Sequence, residues 1–102
     1  MKVHNKLVRD RIPEIIRDSG KTCAIHILSN EEYIAALDTK LNEEVAEYQE
    51  DKNLKELADI LEVIQAICVA RGYKIEELEA LRARKATERG GFSEMIFLEY
   101  VE

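Results

Sequence analysis

Hydrophobic residues recur every three or four positions over most of the chain, and this spacing predicts α-helices. In the second predicted helix, Ile34, Leu37 and Leu41 begin one apolar stripe. In the third, Leu57, Leu61, Ile64 and Cys68 form the main stripe, although apolar residues cover most of its circumference. The pattern predicts four helices, which run from about Asp10 to Gly20, from Ser29 to about Glu50, from about Leu54 to Arg71 and from Ile75 to about Glu88.

Residues that favour or end helices support these limits. Asp10 is the expected cap of the first helix, and Ser29 with Glu32 three residues later has the capping-box pattern. Leu78 and Leu81 are expected to face inward from the fourth helix, which Gly90 and Gly91 end. The sequence therefore predicts helices of defined length joined by short turns.

Two further segments are rich in residues that favour strands. Thr22 to Leu28 alternates small or apolar residues, and Met95 to Val101 is almost continuously apolar. We expect them to pair with each other. The predicted fold is thus mainly α, a helical bundle with a small two-stranded β element.

Length and charge limit the classes of function. The 102 residues suffice for one modest core, so residues 1–102 are predicted to form a single domain. The formal net charge of −6 argues against general nucleic-acid binding. No apolar run predicts a signal peptide or a membrane span, and Cys23 and Cys68 fit small buried hydrophobic residues in a reducing compartment. A cytoplasmic protein without a nucleic-acid or membrane partner is expected.

Two pairs of carboxylates are the strongest candidates for chemistry. Glu44 and Glu47 are three residues apart on the second helix, and Glu56 and Asp59 have the same spacing on the third. Residues with this spacing are neighbours on a helix surface, about 5–6 Å apart at Cβ. Four such carboxylates suit Mg²⁺, a hard cation that prefers oxygen ligands. The alternative is a solvated acidic face, which is common on amphipathic helices.

Basic residues near both ends of the chain are candidate phosphate ligands. Lys85 and Arg89 lie on one side of the fourth helix, just before Gly90 and Gly91. Cations beside a flexible glycine turn offer donors to phosphate oxygens, although a solvated helix end explains these residues more readily when they are taken by themselves. Lys6 and Arg9 have the same two interpretations.

These motifs together resemble one known superfamily. Glu43-Glu44-x-x-Glu47 followed by Glu56-x-x-Asp59 resembles the EExxE and ExxD motifs of the all-α nucleoside triphosphate (NTP) pyrophosphohydrolases, which include MazG-like proteins and phosphoribosyl-ATP pyrophosphohydrolase. The runs from Asn5 to Asp10 and from Ile12 to Ile16, with Lys85 and Glu88 to Phe92, look like its small single-domain house-cleaning branch. The resemblance spans nearly the whole chain.

The resemblance implies hydrolysis of NTPs, non-canonical ones among them, to the monophosphate and pyrophosphate, which would cleanse the nucleotide pool. It implies that Mg²⁺, or alternatively Mn²⁺, is held by Glu44, Glu47, Glu56 and Asp59. The attacking water would be activated by Glu43, Glu44 or Glu47, and the sequence does not choose among them. The residues implied to meet phosphates are Lys85, Arg89, Asn5, Lys6 and Arg9. The resemblance also implies a four-helix core completed by two chains, as a homodimer or a larger assembly.

Two other functions are compatible with the same residues. One is a non-catalytic helical dimer that binds a metal or nucleotide as a regulatory or assembly module. The other is hydrolysis of phosphoribosyl-ATP, although the motifs at both ends fit the house-cleaning branch better. The preference for a base or sugar stays open.

Overall fold

The computed structural model describes residues 1–102, and its ordered elements are four α-helices. Their bounds are Ile12–Asp18 (α1), Asn30–Asp51 (α2), Leu54–Ala70 (α3) and Ile75–Arg89 (α4). The mainly helical class and all four helices are confirmed.

The first helix begins later than expected. Its N-terminal cap is Arg11, which makes no side-chain capping hydrogen bond, so the prediction that Asp10 caps the helix is wrong. Pro13 occupies the first turn, where its missing N–H group has no helical partner to lose. None of the residues of α1 is buried. The helix therefore lies at the surface of the chain and contributes no buried residue to the core.

The start of α2 follows the predicted capping box. The Ser29 hydroxyl accepts a hydrogen bond from the Glu32 backbone N–H at 3.2 Å, and the Glu32 carboxylate accepts one from the Ser29 N–H at 3.0 Å. These bonds satisfy donors that a helix N-terminus leaves free. They also lower the pKa of Glu32, chiefly through its hydrogen bond with the Ser29 backbone.

The core is a small helical hairpin made by α2 and α3. Its buried apolar side chains are Leu37, Val63 and Cys68. Two members of the expected main stripe of α3 point elsewhere, because Leu57 is 46% exposed and Leu61 is 55% exposed. The face of α3 that packs on α2 is instead the one that carries Glu56 and Val63. The carboxylate side of this helix is therefore its inner side within the single chain.

The fourth helix contacts α3 but has no comparable contact with α2. Leu78 and Leu81, which were expected to point inward, are both exposed. The prediction that Leu78 and Leu81 face inward is therefore wrong for the single chain, because its packing leaves both side chains exposed.

The structure contains no strand. The backbone of 22–28 and that of 96–101 take part in none of the chain's backbone hydrogen bonds, so the two segments do not pair with each other within the chain. A strand requires a hydrogen-bonded neighbour, and sequence preference alone does not supply one.

No helix of the structure combines the length and the apolar character that crossing a membrane requires.

Candidate functional site

The turn between α2 and α3 brings the two carboxylate pairs towards each other. Lys52 adopts the left-handed conformation, with φ of 55°, and ends α2. Asn53 then caps α3, and its Oδ1 accepts a hydrogen bond from the Glu56 backbone N–H at 3.1 Å. This cap fixes Glu56 in the first turn of α3, where the helix dipole favours a negative charge.

Three of the predicted metal ligands meet at one point. One oxygen each of Glu44, Glu56 and Asp59 lie within 4.8 Å of one another. Glu44 comes from α2 and the other two come from α3, so the group exists only because the hairpin folds. Glu44 and Glu56 are buried, with exposed fractions of 7% and 5%, whereas the Asp59 side chain is half-buried. The arrangement offers oxygen atoms from two helices to a single cation.

Two oxygens in this group are buried without any hydrogen-bond partner, namely Oε2 of Glu44 and Oε2 of Glu56. An ionised carboxylate removed from water is unstable unless it is paired, bound to a metal or protonated. Burial, and then the charge of Glu47, raise the pKa of Glu44. The pKa of Glu56 is raised chiefly by burial, and then by the negative charges of Glu47, Asp51 and Asp59. The two unpartnered oxygens thus have no positive charge beside them, and such hard oxygen donors suit Mg²⁺ or Mn²⁺.

Lys40 belongs to this site, although sequence reasoning missed it. Its ammonium group lies 3.4 Å from a carboxylate oxygen of Glu43 and 3.4 Å from Oε1 of Glu44. The pairing lowers the pKa of Glu44 and so opposes part of the effect of burial. The spacing of four residues between Lys40 and Glu44 was the available signal, because such residues are neighbours on a helix.

Arg9 reaches the same site from the segment before α1. Its guanidinium donates a hydrogen bond to Oδ1 of Asp59 at 2.8 Å, across 50 residues of sequence. Arg9 was predicted to meet phosphate oxygens, and in this structure its partner is a candidate metal ligand. Asn5 and Lys6, predicted for the same role, are exposed and make no side-chain hydrogen bond or ion pair.

Glu43 and Glu47 flank the three clustered carboxylates. Glu43 is half-buried and pairs with Lys40. Glu47 is exposed and lies outside the group of three, although its charge raises the pKa of both Glu44 and Glu56. Both side chains are therefore more accessible to water than the buried Glu44 and Glu56.

The basic residues of α4 are separate from the carboxylates. Lys85 and Arg89 are exposed and form no ion pair with any carboxylate, and Arg89 lines a surface pocket with residues 90–96. Arg82, which lies on the same side of α4, instead donates two hydrogen bonds to Glu79, at 2.9 and 2.6 Å. The single chain does not bring these phosphate candidates to the three carboxylates.

Comparison with known proteins gives one partial relative and no family. A protein of Mycolicibacterium smegmatis (strain ATCC 700084 / mc(2)155), described as uncharacterized, is 69% identical to this chain over 42 residues. The matched part is 41% of this chain and 43% of that protein, so the match spans less than half of the relative's length. No family model and no solved structure matches the chain.

Proposed function

We propose that this protein is a Mg²⁺-dependent NTP pyrophosphohydrolase, which acts on non-canonical nucleotides among its substrates. One observation carries the proposal: two buried carboxylates, Glu44 and Glu56, each keep an unpartnered oxygen and converge with Asp59. A hard divalent cation is the group that such oxygens fit. The resemblance of the sequence motifs to the all-α NTP pyrophosphohydrolases supplies the reaction.

In the proposed reaction, water attacks the α-phosphorus and the bond to the oxygen that bridges the α and β phosphates breaks. The products are a nucleoside monophosphate and pyrophosphate. A carboxylate takes the proton of the attacking water, and we propose Glu43 or Glu47 for this role, because both are more accessible to water than the buried Glu44. A bound Mg²⁺ supplies neutralisation of the phosphate charge.

The basic residues near the site have distinct proposed roles. Lys40 balances part of the negative charge of Glu43 and Glu44. Arg9 holds Asp59 in the free protein, and its guanidinium, which is suited to bidentate recognition, would turn to a phosphate when a cation binds Asp59. Lys85 and Arg89 are proposed to meet phosphates only in an assembly that brings α4 of one copy to the carboxylates of another.

We propose a homodimer as the functional unit, as the resemblance implies. For a folded chain of 11.8 kDa the accessible surface is expected to be about 5,900 Å². This chain exposes 9367 Å², about 3,500 Å² more than that expectation. A stable interface needs only about 800 Å² from each partner. The exposed Leu57 and Leu61 of α3 provide an apolar face suited to such contact.

The experiment that tests the activity is an assay of pyrophosphate release with and without Mg²⁺. The panel contains canonical NTPs, modified NTPs and phosphoribosyl-ATP, and wild type is compared with Glu56→Gln and Glu47→Gln. The matched control is Glu62→Gln, which alters an exposed glutamate of the same helix. We expect metal-dependent release of pyrophosphate and monophosphate, lost in Glu56→Gln and retained in the control.

Other results lead to other conclusions. Binding of Mg²⁺ without turnover of any substrate would refute the hydrolase and favour the non-catalytic binding module. Turnover that Glu56→Gln leaves intact would mean that the reaction occurs elsewhere on the chain. Turnover of phosphoribosyl-ATP alone would favour the alternative enzyme.

A further inference from the structure

Two segments of the chain leave their backbone hydrogen-bonding groups unused. Residues 22–28 lie between α1 and α2, and residues 96–101 follow α4. Neither segment donates or accepts a backbone hydrogen bond. Their apolar side chains also lack cover, since Ile27 is 88% exposed and Phe97 is 89% exposed.

Both segments have the composition of strands. The first reads TCAIHIL and the second IFLEYV, and neither contains proline or glycine. A turn precedes the second segment, in which the Met95 N–H donates to the Phe92 carbonyl at 3.2 Å and Met95 adopts φ of 57°. Exposed segments of this kind are templates for pairing with another strand.

The charges in and immediately beside the two segments are complementary. Residues 92–102 contain three glutamates and no basic residue. Residues 21–28 contain Lys21 and His26 and no acidic residue. Pairing between these two stretches would therefore bring basic and acidic residues together. Pairing of residues 92–102 with a second copy of themselves would instead oppose three glutamates to three, and pairing of residues 21–28 with their own copy would oppose Lys21 to Lys21.

The helices of one chain do not bring the two segments into register. The tail follows α4, which packs on α3, whereas residues 22–28 lead into α2, and α4 has no comparable contact with α2. The radius of gyration is 18.1 Å, against about 13 Å for a compact chain of this length. A second copy offers both missing partners at once, because a two-fold axis repeats every contact.

We infer that residues 96–101 of one copy pair as a β-strand with residues 22–28 of a second copy, and that the exchange is reciprocal. The inference rests on the homodimer of the proposed function and not on its hydrolase activity. The interaction surface of each chain is then formed by residues 96–101, which follow α4, and residues 22–28, which precede α2. The excess exposed surface of about 3,500 Å² per chain is enough for this contact and for a helical one.

The test is a complementation experiment with proline variants of the full-length chain. Ile27→Pro and Leu98→Pro each remove one N–H donor from a different segment, and neither N–H has a partner within the chain. Successive N–H groups of a strand point to opposite edges, so His26→Pro and Phe97→Pro are made in parallel. Val3→Pro, at an exposed position before α1, is the matched control.

Dimer dissociation is measured by sedimentation velocity over a dilution series, and circular dichroism reports whether each variant keeps its helices. We expect at least one variant of each segment to weaken the dimer tenfold or more, about 1.4 kcal/mol, while the control does not. A mixture of one variant from each segment should form a heterodimer tighter than either variant alone, because it retains one intact pairing. The inference would be overturned if all four proline variants dimerised as tightly as wild type. It would also be overturned if the mixtures formed no heterodimer tighter than the variants alone.

Hydrogen exchange of the wild-type protein provides a test that requires no variant. We expect the amides of both segments to be protected in the dimer and to lose that protection together on dilution. Protection that does not depend on concentration would indicate pairing within one chain, and a dimer with both segments unprotected would indicate contact through the helices alone. Either result overturns the strand exchange without bearing on pyrophosphate release.

Discussion

Glu44 of α2 and Glu56 of α3 face each other across the hairpin, and each has one buried oxygen without a hydrogen-bond partner. Both residues lie on the inner sides of their helices, where aliphatic side chains would be expected. Ionised carboxylates so placed oppose folding until a cation or a proton arrives. The stability of the hairpin and the proposed chemistry therefore depend on the same two side chains.

Replacing Glu56 by glutamine should separate these two effects. We expect Glu56→Gln to stabilise the metal-free protein, because the amide keeps the shape of the side chain and removes the buried charge. Mg²⁺ at 100 times its dissociation constant should stabilise wild type by about 2.7 kcal/mol and the variant hardly at all. Thermal unfolding at a fixed protein concentration, with and without Mg²⁺, measures both. Glu62→Gln should behave as wild type, and equal stabilisation of all three proteins by Mg²⁺ would place the cation elsewhere.

The metal-free protein should become less stable as the pH rises above the ordinary glutamate pKa of 4.5. The raised pKa values of Glu44 and Glu56 mean that the folded state binds more protons than the unfolded state in this range. The stability that the extra protons on Glu44 and Glu56 give the folded state is fully present below pH 4.5. It is lost as the pH rises through their raised pKa values.

Urea unfolding between about pH 4 and pH 8 measures this dependence. The lowered pKa values of Glu32 and Glu79 act below 4.5, where their stabilising contribution is lost as the pH falls. Subtracting the curve of a Glu44→Gln/Glu56→Gln variant isolates the buried pair. A difference that stays constant with pH would contradict the prediction.

Replacing Arg9 should tighten the binding of a divalent cation. Arg9 competes for Asp59 through the 2.8 Å ion pair, and exposed pairs contribute up to about 1 kcal/mol. We expect Arg9→Gln to tighten Mg²⁺ binding by about two- to fivefold, as measured by isothermal titration calorimetry. Arg11→Gln is the control, because Arg11 pairs with Glu14 instead. Weaker Mg²⁺ binding in Arg9→Gln would show that Arg9 supports the site and does not compete for it.

Removing the cap of α3 should weaken both the hairpin and its cation site. The Asn53 side chain accepts the hydrogen bond of the Glu56 N–H, and loss of such a cap costs about 1 kcal/mol. Asn53→Ala should therefore lower the free energy of unfolding in urea by about that amount and weaken Mg²⁺ binding. Asn42→Ala, at an exposed position inside α2, should leave both unchanged. Equal losses in the two variants would exclude a specific role for the cap.

The sequence by itself determined the helices and their ends. The Ser29 capping box, the break at residues 51–53 and Gly90 at the end of α4 act through neighbours in the chain, so they can be read without knowledge of the fold. The spacing of Glu56 and Asp59 placed both on one side of α3 for the same reason. The N-terminal cap of α1 was predicted one residue too early, at Asp10 and not at Arg11, because several residues near Pro13 can precede a first helical turn.

Only the tertiary structure decided which side of each helix faces inward and which carboxylates meet. The apolar spacing of α3 predicted a main stripe through Leu57 and Leu61, but packing on α2 buries Glu56 and leaves those two leucines exposed, because apolar residues surround most of this helix and more than one face could pack. The bond between Arg9 and Asp59 joins residues far apart in sequence, and no local periodicity encodes such a contact. Strand pairing also cannot be read from local sequence, because a strand needs hydrogen bonds to a segment that is distant in the chain. Within this chain, residues 22–28 and 96–101 form no such bonds with each other.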